Sequence, residues 1–237
     1  MKIEILYPEL CCLYGDKGNT LFLKQCMPDA AFVETTLNAK PAFLDSDVDL
    51  CYMYSMSEDS QERILERLMP YKAEIAEKCA NGKTLFLFLG NAMELLGQYI
   101  QREDGTKVEA LGIYPTYAVR QAPNRFNSLI QTKLEDMTLL GYTSRFSHTY
   151  GLTEELALCQ VEIGSGATPE TKLEGIRSGR VIGTYLLGPL LVANPDFSLW
   201  LLHTLGAEIQ ALPFEQALRE AYARKQEEFR QPELRLE

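Results

Sequence analysis

The segment 84–97 constrains this chain more than any other. Leu85–Leu89 is an unbroken apolar run, which reads as a strand buried on both faces. Gly90-Asn91 then bends the chain into a short apolar helix, Ala92-Met93-Glu94-Leu95-Leu96, closed by Gly97. In α/β hydrolytic folds a strand–turn–helix of this kind is a nucleophile elbow, in which a strained residue presents its side chain above the sheet. Here the residue at the bend is Gly90, which has no side chain.

The surrounding pattern agrees with a buried central strand. Apolar runs predict strands over 3–7, 31–37 and 48–53, with a helix to about residue 26 between the first two, N-capped by Asp16. Residues 58–79 carry Ile64, Leu65, Leu68, Ile75 and Ala76 at helical spacing, with a kink at Pro70. Such alternation implies parallel strands with crossover helices on both faces. After Gly97 the pattern shifts to short β segments over 113–119, 127–133, 137–142 and 156–161, then a strand over 181–186. Asn194-Pro195-Asp196 opens a helix through residue 205, with proline in the first turn and the carboxylate complementing the dipole. A last helix over 214–230 runs into a polar tail, 231–237. No repeat or linker interrupts the chain, so 1–237 is expected to be one domain of α/β class.

The formal net charge of -10 argues against nucleic-acid partners and anionic membranes. No apolar run approaches the roughly 18 residues that announce a membrane span. The chain opens directly on a strand pattern without a signal-like apolar region, so a cytoplasmic location is expected. Its six cysteines, Cys11, Cys12, Cys26, Cys51, Cys79 and Cys159, form no CxxC pair, and only two histidines accompany them. Free thiols, no metal site and no cofactor are therefore expected.

Several stretches together resemble the class I glutamine amidotransferases of the cobyric acid synthase-like branch. Within it, the likeness is to the glutaminase-type subunit of bacterial lipid II isoglutaminyl synthase. They are Leu6-Tyr7-Pro8-Glu9-Leu10 with Leu13-Tyr14-Gly15-Asp16-Lys17-Gly18-Asn19, then Glu94-Leu95-Leu96-Gly97, and finally Ile182-Gly183-Thr184-Tyr185-Leu186-Leu187-Gly188-Pro189-Leu190-Leu191 with Asn194-Pro195. The likeness runs over about 1–205, leaving the C-terminal helix and tail, 206–237, outside it. It implies a flavodoxin-like three-layer fold with a mostly parallel central sheet. It also implies a partner, a Mur-ligase-like ATP-dependent subunit that uses ammonia to amidate D-glutamate in the peptidoglycan precursor. A homo-oligomer is the other association considered.

Members of that family hydrolyse glutamine with a cysteine at the elbow and a histidine in a Gly-Thr-Tyr-Leu-His-Gly-Pro segment. In this chain the first position is Gly90 and the second Leu187, and the glycine-rich oxyanion loop falls on Tyr54-Ser55-Met56. Acyl transfer needs a nucleophile, a base and fixed donors for the developing oxyanion. Gly90 supplies no nucleophile and Leu187 no base, and bulky Tyr54 and Met56 disfavour the φ > 0 backbone that exposes successive amides. No catalytic residue is therefore assigned, and a degenerate binding or scaffold subunit is expected. The alternatives are an active glutaminase whose groups lie elsewhere, and a small-ligand binder reusing the crevice.

The resemblance gives Arg125 the role of holding a substrate α-carboxylate, which a guanidinium can bind bidentately; by itself the residue reads as a solvated loop arginine. The same frame sets Arg145, not His148, nearest a family histidine, and His148 is read as a surface loop residue. His203 is read as a packing residue. Cys11 and Cys12 follow the first strand, where α/β sheets bind ligands, and are read as inert thiols. Ser55 has no readable His-Asp pair, and Glu58 and Asp59 begin a helix.

Overall fold

A computed structural model of the chain describes residues 1–231. Its first part alternates: β1 (Lys2–Leu6), α1 (Lys17–Cys26), β2 (Ala31–Thr35), α2 (Ala42–Asp45), β3 (Leu50–Met53), α3 (Glu58–Leu68), α4 (Lys72–Asn81) and β4 (Leu85–Leu89). A 3₁₀ segment, Gly90–Leu96, follows. Then come β5 (Tyr99–Gln101), β6 (Lys107–Glu109), β7 (Tyr117–Arg120), β8 (Phe126–Leu134), β9 (Met137–Arg145), β10 (Ser147–Tyr150), β11 (Ala157–Ile163), β12 (Leu173–Ser178) and β13 (Val181–Thr184). The chain closes with α5 (Leu190–Ala193), α6 (Pro195–Thr204) and α7 (Glu215–Glu228).

The main sheet has the order β2-β1-β3-β4-β13-β12-β11-β8-β9. From β2 to β13 neighbouring strands are parallel, and from β13 to β9 they are antiparallel. The chain steps one way from β1 to β2 and then back across the sheet to β3 and β4. Right-handed crossovers therefore put α1 on one face and α2, α3 and α4 on the other. This is the three-layer α/β arrangement expected from the alternation. A second sheet, β10-β7-β5-β6, packs beside the elbow.

Burial follows position in the sheet. Every residue of β3 and β4 is buried, as a parallel strand covered on both faces requires, whereas β8 alternates between buried and less buried positions. A charged residue also lies inside. Glu4, fully buried on β1, accepts from the Thr35 hydroxyl (2.5 Å) and from the first amides of α2, Ala42 (2.6 Å) and Phe43 (2.8 Å). Its carboxylate thus joins two strands and a helix start, satisfying donors that burial would otherwise orphan.

Several expectations are corrected in detail. Asp16 does not cap α1: its backbone is already helical and its side chain makes no cap bond, being turned inward to Ser55. The segment 113–119 is a strand only over Tyr117–Arg120, and Pro70 goes beyond a kink, dividing two helices by a 3₁₀ turn, Met69–Tyr71. β5, β6, β10 and β12 are short or polar, and none was read from the sequence. The polar tail beyond residue 231 lies outside the described residues. Among those described, no helix is long and apolar enough to cross a membrane.

Candidate functional site

The elbow forms as its sequence requires. Gly90 ends β4 at φ +59°, the left-handed region in which a Cβ is disfavoured, and the chain turns at once into the 3₁₀ segment. It lies in a cavity of about 120 Å³ whose lining includes Ser55, Met56, Asn91, Arg125, Arg145 and Leu187. Leu187 approaches the bend there: its Cδ2 is 3.6 Å from where a Cβ on residue 90 would stand. Ser55 Cβ is only 2.6 Å from that same point, closer than two carbons approach without something moving. The Ser55 side chain therefore occupies the space a nucleophilic side chain at position 90 would need.

The loop Tyr54-Ser55-Met56 is closed in a second way. No residue of Tyr54-Ser55-Met56 has positive φ. The Ser55 amide donates to Asp16 Oδ2 (3.0 Å) and its hydroxyl to the same oxygen (2.6 Å). The Met56 amide donates to Asn91 Oδ1 (3.0 Å), and Asn91 Nδ2 returns a bond to the Met56 carbonyl (2.9 Å). The Ser55 and Met56 amides are thus already spent on side chains of the chain itself. Burial pushes the Asp16 carboxyl up, against the two Ser55 hydrogen bonds that pull it down. Tyr54 does not reach the cavity; its hydroxyl is buried against Thr20 and its ring stands edge-on to Tyr52.

Beneath the cavity a buried polar network holds the segment after β13. Glu94 accepts from the Tyr185 hydroxyl (2.6 Å), Gln61 Nε2 (2.8 Å) and the Ser147 hydroxyl. Glu174 accepts from the Tyr185 amide (2.7 Å) and the Thr184 hydroxyl (2.8 Å). Burial raises both carboxyls above their usual range, the hydrogen bonds opposing it. The Arg145 guanidinium lies 4.1 Å over the Tyr185 ring and donates to the carbonyls of Gly166 (2.7 Å) and Ala167 (3.1 Å). Arg145 and Tyr185 also line the cavity. The sequence reading saw no role for Asp16 or Asn91 at this site; their bonds span 39 and 35 residues, and no local spacing signals them.

The remaining sequence candidates separate. Arg125 is an exposed loop residue at the cavity wall, its Nη1 donating to Tyr14 Oη (2.5 Å) and Ser144 Oγ (3.3 Å) and its guanidinium 4.1 Å over the Phe146 ring. His148 is not a surface loop residue: it is buried on β10, edge-on to Phe126, and burial lowers its pKa. His203 is not packed but exposed in the last turn of α6. Cys11 is buried and its thiol is pushed up by burial, while exposed Cys12 lines a different hollow beside Lys17 and Lys24. Among the described residues no group of three or more His, Cys, Asp and Glu side chains is placed to hold a metal.

No family model matches the chain. It is 28% identical over 232 residues to the GatD subunit of lipid II isoglutaminyl synthase (glutamine-hydrolyzing) from Streptococcus pneumoniae, covering 94% of this chain and 89% of that one. The GatD subunit of the same synthase from Staphylococcus aureus is 27% identical over 206 residues, covering 86% and 83%. Of solved structures, a glutamine amidotransferase matches with a TM-score of 0.57 at 13% identity, covering 86% of this chain and 99% of that one. PurLQS from Thermotoga maritima matches with a TM-score of 0.55 at 11% identity, covering 94% and 97%. At such identities these structures establish the fold.

Proposed function

From a chain that is glutamine amidotransferase-like in fold and GatD-like in sequence, we propose a non-hydrolysing subunit that binds where its relatives cleave. It docks an ATP-dependent, Mur-ligase-like or homologous partner as a scaffold, in the cytoplasm where a cell-wall precursor would be amidated. The observation that carries this reading is the contact of Gly90, Leu187 and Ser55 in one cavity. No thiol and no imidazole meet there, and the Ser55 side chain against the bend is hydrogen-bonded to Asp16. Hydrolysis lacks a group to attack the carboxamide, a base to activate it and free donors to hold the oxyanion.

The decisive experiment measures ammonia release from glutamine by the full chain, alone and with candidate ligase partners. Labelling with a glutamine-mimicking diazoketone, mapped by mass spectrometry, runs beside it. No turnover and no modified cavity residue are expected. Turnover, or stoichiometric labelling of Cys11, Cys12 or Cys51, overturns the reading. One observation favours a second reading, an active glutaminase subunit feeding ammonia to amidation of lipid II D-glutamate or a cobyrinate-like substrate: Arg125 remains on the cavity wall, where the resemblance expects a carboxylate-binding group.

A further inference from the structure

The two edges of the main sheet are finished differently. At one edge β9 spends its outward backbone groups within the chain. The Leu140 amide donates to Asn194 Oδ1 (2.7 Å) and its carbonyl accepts from Asn194 Nδ2 (3.0 Å), while Tyr142 exchanges backbone bonds with Leu187 (3.4 and 2.9 Å). The Thr138 carbonyl accepts from the Tyr222 hydroxyl (2.8 Å). At the other edge β2 pairs only with β1. The Ala31 amide donates to the Met1 carbonyl (2.9 Å) and the Thr35 carbonyl accepts from the Tyr7 amide (2.8 Å). Phe32 and Glu34, which alternate with them, therefore turn both amide and carbonyl outward. Among the described residues no hydrogen bond reaches those groups.

An open edge of this kind is a template for another strand, and proteins usually blunt it with lysine, proline or a bulge. Ala31-Phe32-Val33-Glu34-Thr35 has none of these and keeps an unbroken register with β1. Unpaired charge lies along the same edge. Lys24 Nζ, on α1, is 5.3 Å over the Phe32 ring, and Lys24, Glu34 and the 55% exposed Leu21 border one hollow. Among the described residues neither Lys24 nor Glu34 forms an ion pair.

We propose that β2 pairs antiparallel with β2 of a second copy of this chain, about a twofold axis through Val33, so that the main sheet continues from one copy into the other. In this register Phe32 faces Glu34 of the second copy, and each such pair exchanges both N–H···O bonds through the groups left open. Directly opposed residues project to one face, so the second copy's Glu34 stands beside the Phe32 ring within reach of Lys24, and symmetry repeats the contact. A register centred on Glu34 would oppose two carboxylates instead. The net charge of -10 on each copy works against association, so the dimer is weak and reversible.

The test is sedimentation velocity of the full chain from micromolar to near-millimolar concentration, where a shift from monomer to dimer is expected. Glu34→Lys and Lys24→Glu each set like charges together at both symmetric contacts and should weaken the dimer roughly tenfold. The double variant Lys24→Glu/Glu34→Lys should restore it. Both positions are exposed, so circular dichroism of the variants should match the wild type. Val33→Cys marks the axis, because residues in a non-hydrogen-bonded antiparallel pair lie about 4.5 Å apart at Cα, within disulfide reach. Mild oxidation should cross-link that variant well beyond the wild-type background from native thiols, and Ala31→Cys, displaced from the axis, should not. A chain that stays monomeric throughout overturns the proposal. So does a dimer that the charge exchange leaves unchanged, or one that Val33→Cys fails to cross-link.

Discussion

Installing the missing thiol by itself should damage the protein, and the structure indicates by how much. Gly90→Cys puts a Cβ into the left-handed region, at about 1–2 kcal/mol. It also drives that Cβ to 2.6 Å from Ser55 Cβ, an overpacked contact costing about 1–3 kcal/mol. The single variant should therefore lose about 2–5 kcal/mol of stability, the sum of the backbone and packing costs. Ser55→Gly removes the obstructing carbon and loses the hydroxyl's bond to Asp16, at about 1 kcal/mol. In the double variant the overlap is gone, so the two changes should be non-additive by about 1–3 kcal/mol in the favourable direction. Urea unfolding of the four proteins measures this coupling. Additivity within about 0.5 kcal/mol would refute the claim that Ser55 fills the nucleophile's space. Adding Leu187→His to the double variant brings an imidazole beside the thiol. Glutamine hydrolysis should still stay near background, because Asp16 and Asn91 hold the loop amides and a lost oxyanion donor costs roughly 10²–10³ in rate.

Glu4→Ala should destabilise the chain by about 3 kcal/mol or more, since it orphans the Thr35 hydroxyl and two amides of α2; a shift in urea midpoint at unchanged slope checks this. Asn91→Ala should cost about 1–3 kcal/mol by unpairing the Met56 amide and carbonyl, and thermal unfolding would show it. Glu174→Gln tests the buried carboxyl through pH. Burial raises its folded pKa, so its contribution is complete below the unfolded value of about 4.3 and lost as pH rises through the folded value. The glutamine variant should therefore gain on the wild type as pH rises above the unfolded value of about 4.3 in urea titrations, and a constant difference would contradict the assignment.

Strands covered on both faces were legible because their sequences are apolar throughout: Leu85–Leu89 stands where the sequence read it, and Leu50–Met53 lies within the 48–53 run. The proline-led start of α6 was equally clear from Asn194-Pro195-Asp196. β10 and β12 were not legible, because Ser147-His148-Thr149-Tyr150 and a strand holding buried Glu174 carry no apolar run, and their stability comes from partners elsewhere in the chain. His148 misled for the same reason. A polar residue in a polar stretch reads as surface, and only the packing of Phe126 against it makes it interior.

The amino-acid sequence by itself determined that residues 90 and 187 carry neither a thiol nor an imidazole, whatever the fold. It also determined the bend, because a left-handed turn between a buried strand and an apolar helix is favourable for glycine. Tertiary structure alone decided that residues 55, 90 and 187 share one cavity, that Asp16 and Asn91 take up the loop amides, and that Arg125 and Arg145 reach the same space. The bonds of Asp16 and Asn91 span 39 and 35 positions, and the other meetings likewise join different strands or the loops after them. Which side chains meet across such distances depends on strand order and register, and local spacing along the chain does not encode either.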